Sequence, residues 1–134
     1  MHSLESIQHL LQPLFPGLMG VRVTELAPER VVAELVVRPD LCTTGGVLHG
    51  GASMAFADTL GAIGTVLNMP QGKRTTTTDS STKFIGAARA NTTVVGECIA
   101  LHRGRTTMVW QTAIRTADGK LCAVVTQTQL ILDA

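Results

Sequence analysis

Aromatic side chains are scarce in this chain: tyrosine is absent, tryptophan occurs once and phenylalanine three times in 134 residues. Nor is there a block of basic residues, and the formal net charge is +1. A general nucleic-acid-binding surface needs a basic stripe and rings on which bases stack, so that class is excluded. Charge of either sign is thin, at 16% of residues against 45% hydrophobic. A composition this apolar folds rather than stays disordered. A chain of this length can remove roughly two-thirds of its unfolded surface from water. One domain over residues 1–134 is the simplest organisation, with apolar surface to share with a partner subunit.

Cysteine is also sparse. Cys42, Cys98 and Cys122 are odd in number, widely spaced and form neither a CxxC nor a zinc pattern. Reduced thiols in a cytoplasmic protein are therefore expected. Cys42 and His49 lie near each other, but two candidate ligands without a third or fourth do not make a metal site. The glycines match neither GxGxxG nor a P-loop. No stretch approaches the roughly 18 apolar residues of a membrane span. The opening MHSLESIQHLLQPLFPG has no positive leader and no continuous apolar core, so no signal peptide is expected.

What is present orders itself along the chain. Leu4, Ile7, Leu10, Leu11 and Leu14 share one helical face and predict a short amphipathic helix ended by Pro16-Gly17. MGVRVTEL and RVVAELVV read as two strands joined at Ala27-Pro28-Glu29. A helix follows over about Gly51 to Leu67, apolar on every side and rich in Gly and Ala, hence buried. Four β-rich runs complete the chain: KRTTTTDSSTKFI, TTVVGECIALH, TTMVWQTAIRT and KLCAVVTQTQLIL, the last two joined at Asp118-Gly119. In the last run Leu121, Ala123 and Val125 alternate with Cys122, Val124 and Thr126, so its early part is expected to be buried on both faces. The fold class is α+β: an antiparallel sheet around one long buried helix.

Within that helix stands one carboxylate, Asp58. Its neighbours three and four positions away are Met54, Ala55, Gly61 and Ala62, none of which can pair with it. Burying a carboxylate unpaired costs several kcal/mol. The bland readings are that an arginine from a strand, such as Arg89 or Arg105, reaches it, or that it faces solvent at the helix edge. The residues before the helix suggest more. His49-Gly50-Gly51 stands nine residues upstream of Asp58, where paired glycines allow a ligand to approach the backbone. Unused N–H groups at a helix start can hold a developing oxyanion. Together, an oxyanion site and a carboxylate are minimal equipment for attack on an acyl carbon.

GVLHGGASMAFADTLG, with its HGG, small apolar spacer and acid nine positions after the histidine, resembles the signature of the hotdog-fold thioesterases, specifically the PaaI-like acyl-CoA thioesterases. The similarity runs along nearly the whole chain, and ALHRGRTTMVWQTAIRTADGKLCA resembles that family's next-to-last hairpin. The resemblance implies a hotdog fold and hydrolysis of an acyl-CoA thioester to a carboxylic acid and CoA, with no cofactor. Asp58 would act as nucleophile through an anhydride, or as general base on water. The Gly50 N–H would polarise the thioester carbonyl, supported by His49. The family's site forms between two subunits, which implies a homodimer and beyond it a dimer of dimers, in the cytoplasm, with neither nucleic acid nor membrane as partner. Six residues before the histidine, where the family usually has Asn or Gln, this chain has Thr43, a hydroxyl of shorter reach with no amide fork. Four positions after Asp58, where some relatives carry Ser or Thr, stands Ala62.

By the same resemblance Gly86, Ala87, Ala88 and Arg89, and Arg103, Gly104, Arg105 and Thr106, match segments that hold CoA, while Thr78 and Asp79 border the pantetheine channel. The plain alternative for each arginine is an ordinary surface charge, and for the threonines strand formation. Met54 and Phe56 could line an acyl pocket or simply pack the core. The rival function within the fold is an acyl-CoA-binding module that does not cleave. It would have no need of Asp58 beside HGG.

Overall fold

The computed structural model describes residues 2–134. Ile7 and Leu11 place the apolar stripe of α1 (Leu4–Leu11) inward, and Ser3 and Ser6 close a reciprocal capping box at its start. The helix does not run on to Pro16. It stops at Leu11, and the chain re-enters a short helix, α2 (Phe15–Met19), with Pro16 in its first turn. Proline lacks an N–H that the first helical turn leaves unused anyway, so Pro16 begins a helix where the sequence suggested an end. A side chain at Gly17 would put its Cβ 2.0 Å from the Gln12 carbonyl oxygen. The Gln8 amide then ties α1 to the sheet, its Nε2 donating to the Val21 carbonyl at 2.9 Å and its Oε1 accepting from the Val23 N–H at 3.0 Å.

Because α2 takes up Met19, the first strand starts later than the sequence suggests. β1 (Arg22–Ala27) and β2 (Arg30–Val36) form a hairpin. A small ribbon, β3 (Cys42–Thr43) and β4 (Val47–Leu48), follows, its turn made by Gly45 and Gly46 at φ 89° and 71°. Its last rung feeds α3 (Gly50–Asn68). The remaining strands are β5 (Lys73–Phe84), β6 (Thr93–Arg103), β7 (Thr107–Thr116) and β8 (Leu121–Asp133). Among the described residues they build one antiparallel sheet in the order β1-β2-β6-β7-β8-β5.

The sheet wraps α3. Phe56 and Leu60 are fully buried in one core cluster with Leu35, Val94, Trp110 and Ile114. Gly96 on β6 leaves room for the Phe56 and Leu60 side chains, which would lie within 3.0 Å of a Cβ there. At the strand edge, the pairing of β5 with β8 slips between Thr77 and Asp79, so Thr78 forms a bulge. β5 is an edge strand, one side unpaired among the described residues, with Phe84 at its end and Ile85 just past it both exposed.

Candidate active site

Two groups of residues, set apart along α3, have the chemistry the sequence suggests. At the helix start His49 is the N-cap. Its Nδ1 accepts the Gly51 N–H at 2.8 Å, which assigns the ring proton to Nε2 and leaves that N–H to point outward. The His49 backbone N–H donates to the Leu41 carbonyl at 2.9 Å, fixing the cap to the β3–β4 ribbon. Gly51 being taken by the cap, the Gly50 N–H is left without an acceptor among the described residues. That is one of the donors every helix start leaves over. A Cβ on Gly50 would sit 3.0 Å from the Phe84 ring, so the small residue lets the end of β5 close over this turn. Thr43 pairs with Val47, and the Leu41–His49 bond continues the register, so Thr43 and His49 share one face of the ribbon.

Residues 86–89 run beside the same ribbon. Arg89 bridges to Val47, the Leu48 N–H donates to the Ala88 carbonyl at 2.8 Å and the Ala90 N–H to the Gly46 carbonyl at 2.9 Å. Arg89 is exposed and joins no ion pair among the described residues. Thr43, His49, Gly50 and the Gly86–Arg89 segment are thus brought together.

Asp58 is elsewhere. Gly50 and Asp58 are eight residues apart on the helix, roughly 12 Å of rise. Within one chain, the Gly50 N–H and the Asp58 carboxylate therefore stand too far apart to meet one acyl group. No arginine reaches Asp58: among the described residues neither Arg89 nor Arg105 pairs with it. Its partners are neutral. Thr77 on β5 donates its hydroxyl to Asp58 Oδ1 at 2.5 Å, and the Gln127 amide on β8 donates to Oδ1 and to the Asp58 carbonyl, each at 3.3 Å. Gln129 donates in turn to the Thr77 hydroxyl at 2.6 Å. Gln127 and Gln129 are both fully buried. The carboxylate itself is half-buried, at the edge of a cleft of about 260 Å³ between α1 and α3.

Thr78 and Asp79 occupy the exposed bulge one residue beyond Thr77. Arg103, Gly104, Arg105 and Thr106 are not drawn to either group. Their hairpin lies at the C-terminal end of α3, where Arg103 Nη1 donates to Asn68 Oδ1 at 3.3 Å and Thr106 accepts from the Ile131 N–H at 2.9 Å. In a 19-residue helix that end is about 28 Å from His49.

Sequence reasoning missed Thr77, Gln127 and Gln129. The only available signal was polar residues at alternate positions in the row Val125, Gln127, Gln129, Ile131, which turns out to face the helix.

Comparison with known proteins identifies the family. Residues 45–123 match the sequence profile of the thioesterase superfamily. The proofreading thioesterase EntH of Cronobacter turicensis is 32% identical over 104 residues, covering 78% of this chain and 75% of that one. The 1,4-dihydroxy-2-naphthoyl-CoA hydrolase of Escherichia coli is 26% identical over 130 residues, covering 97% and 95%. The crystal structure of a Haemophilus influenzae thioesterase superposes with a TM-score of 0.93 at 27% identity, covering 99% of this chain and 92% of that one.

Proposed function

The chain belongs to the thioesterase superfamily and is a thioester hydrolase; from that premise we propose that it hydrolyses an acyl-CoA, with Asp58 as nucleophile or general base and the Gly50 N–H as oxyanion donor. The observation that carries the reading is a carboxylate held by neutral donors at the mouth of an apolar cleft. Asp58 attacks the acyl carbon or takes a proton from the attacking water. The Gly50 N–H, strengthened by the positive end of the helix, receives the negative charge that builds on the thioester oxygen. His49 keeps the first turn in register for that contact. Thr43, on the same ribbon face, offers a hydroxyl toward it.

Because Asp58 and the Gly50 N–H stand roughly 12 Å apart along α3, one substrate meets both only when two copies pair. A two-fold axis then makes two equal sites, each with the acid of one subunit and the oxyanion donor of the other. The unpaired edge of β5 supports such pairing. A second pairing would make a tetramer. Arg89, exposed beside the His49 turn and in no ion pair among the described residues, is the cation for a CoA phosphate, with Gly86, Ala87 and Ala88 as the backbone beside it. Thr78 and Asp79 flank the pantetheine arm next to Asp58. Arg103, Gly104, Arg105 and Thr106 contribute across a subunit boundary, since in their own chain they stand at the far end of α3. The protein acts in the cytoplasm, where its three free thiols stay reduced.

The acyl group enters the α1–α3 cleft. Ile7, Leu10 and Leu11 line one wall and Ala62, Ile63 and Val66 the other. Thr59, the one hydroxyl there, already donates to the Ala55 carbonyl at 2.8 Å. Burying a hydroxyl without a partner costs about 1–3 kcal/mol, so a hydrocarbon acyl chain or an unsubstituted ring suits this wall better than a hydroxylated ring.

The test is thiol release from a panel of aliphatic and aryl acyl-CoAs, with the parent and Asp58→Asn side by side. The expected result is turnover by the parent and a fall in kcat of about 10²–10⁴ in the variant, with binding retained. Binding without turnover by either protein would favour the non-cleaving acyl-CoA-binding module, and Thr43→Asn would then be the first restoration to make.

A further inference from the structure

β8 carries two glutamines in the row that faces α3, and both are fully excluded from solvent. Hydrocarbon is the usual filling for such positions, because a buried amide is costly unless bonded. Gln129 is bonded at both ends, and the bonds have a direction. The Thr75 hydroxyl donates to Gln129 Oε1 at 2.9 Å and shares that proton with the Leu130 carbonyl at 3.0 Å. Gln129 Nε2 donates to the Thr77 hydroxyl oxygen at 2.6 Å. The Thr77 hydroxyl donates to Asp58 Oδ1 at 2.5 Å. Every proton in the chain points toward the carboxylate. The carboxylate fixes the polarity: it can only accept, so Thr77 must donate to it and Gln129 must turn its amide nitrogen to the Thr77 oxygen.

We propose that Thr75 and Gln129 are positioning residues for the reaction, acting through Thr77 to decide which oxygen of Asp58 reacts. This rests on the reading of Asp58 as the catalytic acid. With its own oxygen occupied by Gln129, Thr77 is committed as a donor to Oδ1. Gln127 adds a second donor to the same atom. Oδ2 has no partner among the described residues, so it alone remains to take a proton from water or to attack the acyl carbon. Consecutive bonds of one polarity strengthen one another, which holds the carboxylate in a single rotamer without a cation that would quench its charge. The sheet supplies the geometry. Thr77 is the direct cross-strand partner of Gln129 and Thr75 its diagonal neighbour, and the bulge at Thr78 begins only after both threonines have faced inward.

Thr75→Val, Thr77→Val, Thr77→Ser and Gln129→Met would be compared for kcat, KM and melting temperature, in the parent and in an Asp58→Asn background. The proposal expects kcat to fall about tenfold for Thr75→Val and Gln129→Met, roughly one hydrogen bond's worth, and further for Thr77→Val. KM should stay within about twofold and Thr77→Ser should restore most of the rate. In Asp58→Asn the Thr75 and Gln129 substitutions should lower the residual rate no further. Lower melting temperature at unchanged kcat, or an equal kcat loss in both backgrounds, would overturn the proposal and leave the chain a structural one. Should Gln129→Met fail to fold, Thr75→Val, at a half-buried and isosteric position, decides. A fully active Asp58→Asn would instead remove the acid reading itself; an inactive Asp58→Asn beside fully active relay variants would remove only the relay.

Discussion

Two polar clusters lie between α3 and the sheet, centred on Asp58 and Thr65 about two turns apart along the helix, and they are built differently. Toward the C-terminal half, Trp110 Nε1 donates to the Thr65 hydroxyl at 3.0 Å, and Thr65 donates to the Gly61 carbonyl at 2.9 Å. Both side chains are fully buried, both are neutral, and the short chain of bonds ends on backbone. Toward the N-terminal half, the bonds run through Gln129, Thr77 and Gln127 and end on a charged carboxylate that touches solvent. Each cluster rests on a glycine of α3. A Cβ on Gly64 would meet the Trp110 ring at 2.6 Å, and one on Gly61 would meet the Gln127 amide at 2.4 Å. A closed cluster locks the helix to the sheet. On the proposed reading of Asp58, an open one holds a reactive group ready.

Paired alanine substitutions put that contrast at risk. Gly61→Ala must push Gln127 off Asp58, so kcat is expected to fall about tenfold or more, with some loss of stability. Gly64→Ala meets an equally close contact and should cost about 1–3 kcal/mol of stability while kcat per folded molecule stays unchanged. Steady-state kinetics alongside thermal melts separates the two; equal kcat losses would erase the distinction. Trp110→Phe removes one donor and some ring volume from the closed cluster, an expected loss on the order of 2 kcal/mol with no effect on rate, read by denaturant unfolding.

The smallest effect concerns Cys98, which lies on the sealed side of the sheet. Burial pushes its thiol up to about 11, although the neighbouring Thr112 hydroxyl pulls the other way. The unfolded thiol ionises near pH 8.5. Between the two values the unfolded state has released a proton that the folded state retains, so this group's contribution to stability is complete below about pH 8.5 and declines toward pH 11. Alkylation at pH 8 should label half-buried Cys42 in the folded protein and Cys98 only after unfolding; mass mapping of the labelled sites distinguishes them.

The long helix was legible because its apolar residues leave no polar face, and the strands because β-branched runs alternate with turns such as Asp118-Gly119, where Gly119 takes φ 94°. Asp58 was conspicuous for the same reason as the helix: nothing near it in sequence could pair with it. Its partners were not legible. They lie 19 and 69 residues away, and which side chains of β5 and β8 face inward depends on register. In TQTQ every residue is polar, so alternation cannot say which pair is buried. In TTTT all four side chains are alike, and a bulge then shifts the strand that follows. Pro16 misled because one residue type both ends helices and begins them, and only the backbone around Gln12 and Gly17 decides which.

The clamp made by Gln8 has a consequence for how copies of this chain can join. By donating to the Val21 carbonyl and accepting from the Val23 N–H, its amide imitates a rung of a neighbouring strand on the outer side of β1. That margin is already satisfied by a side chain and has α1 packed along it, while the margin at β5 is open. A sheet with two open margins could be extended by one molecule after another into a fibre. With one margin sealed, a sheet joined through the other can grow no further along its edges, so any larger assembly must meet through other surfaces.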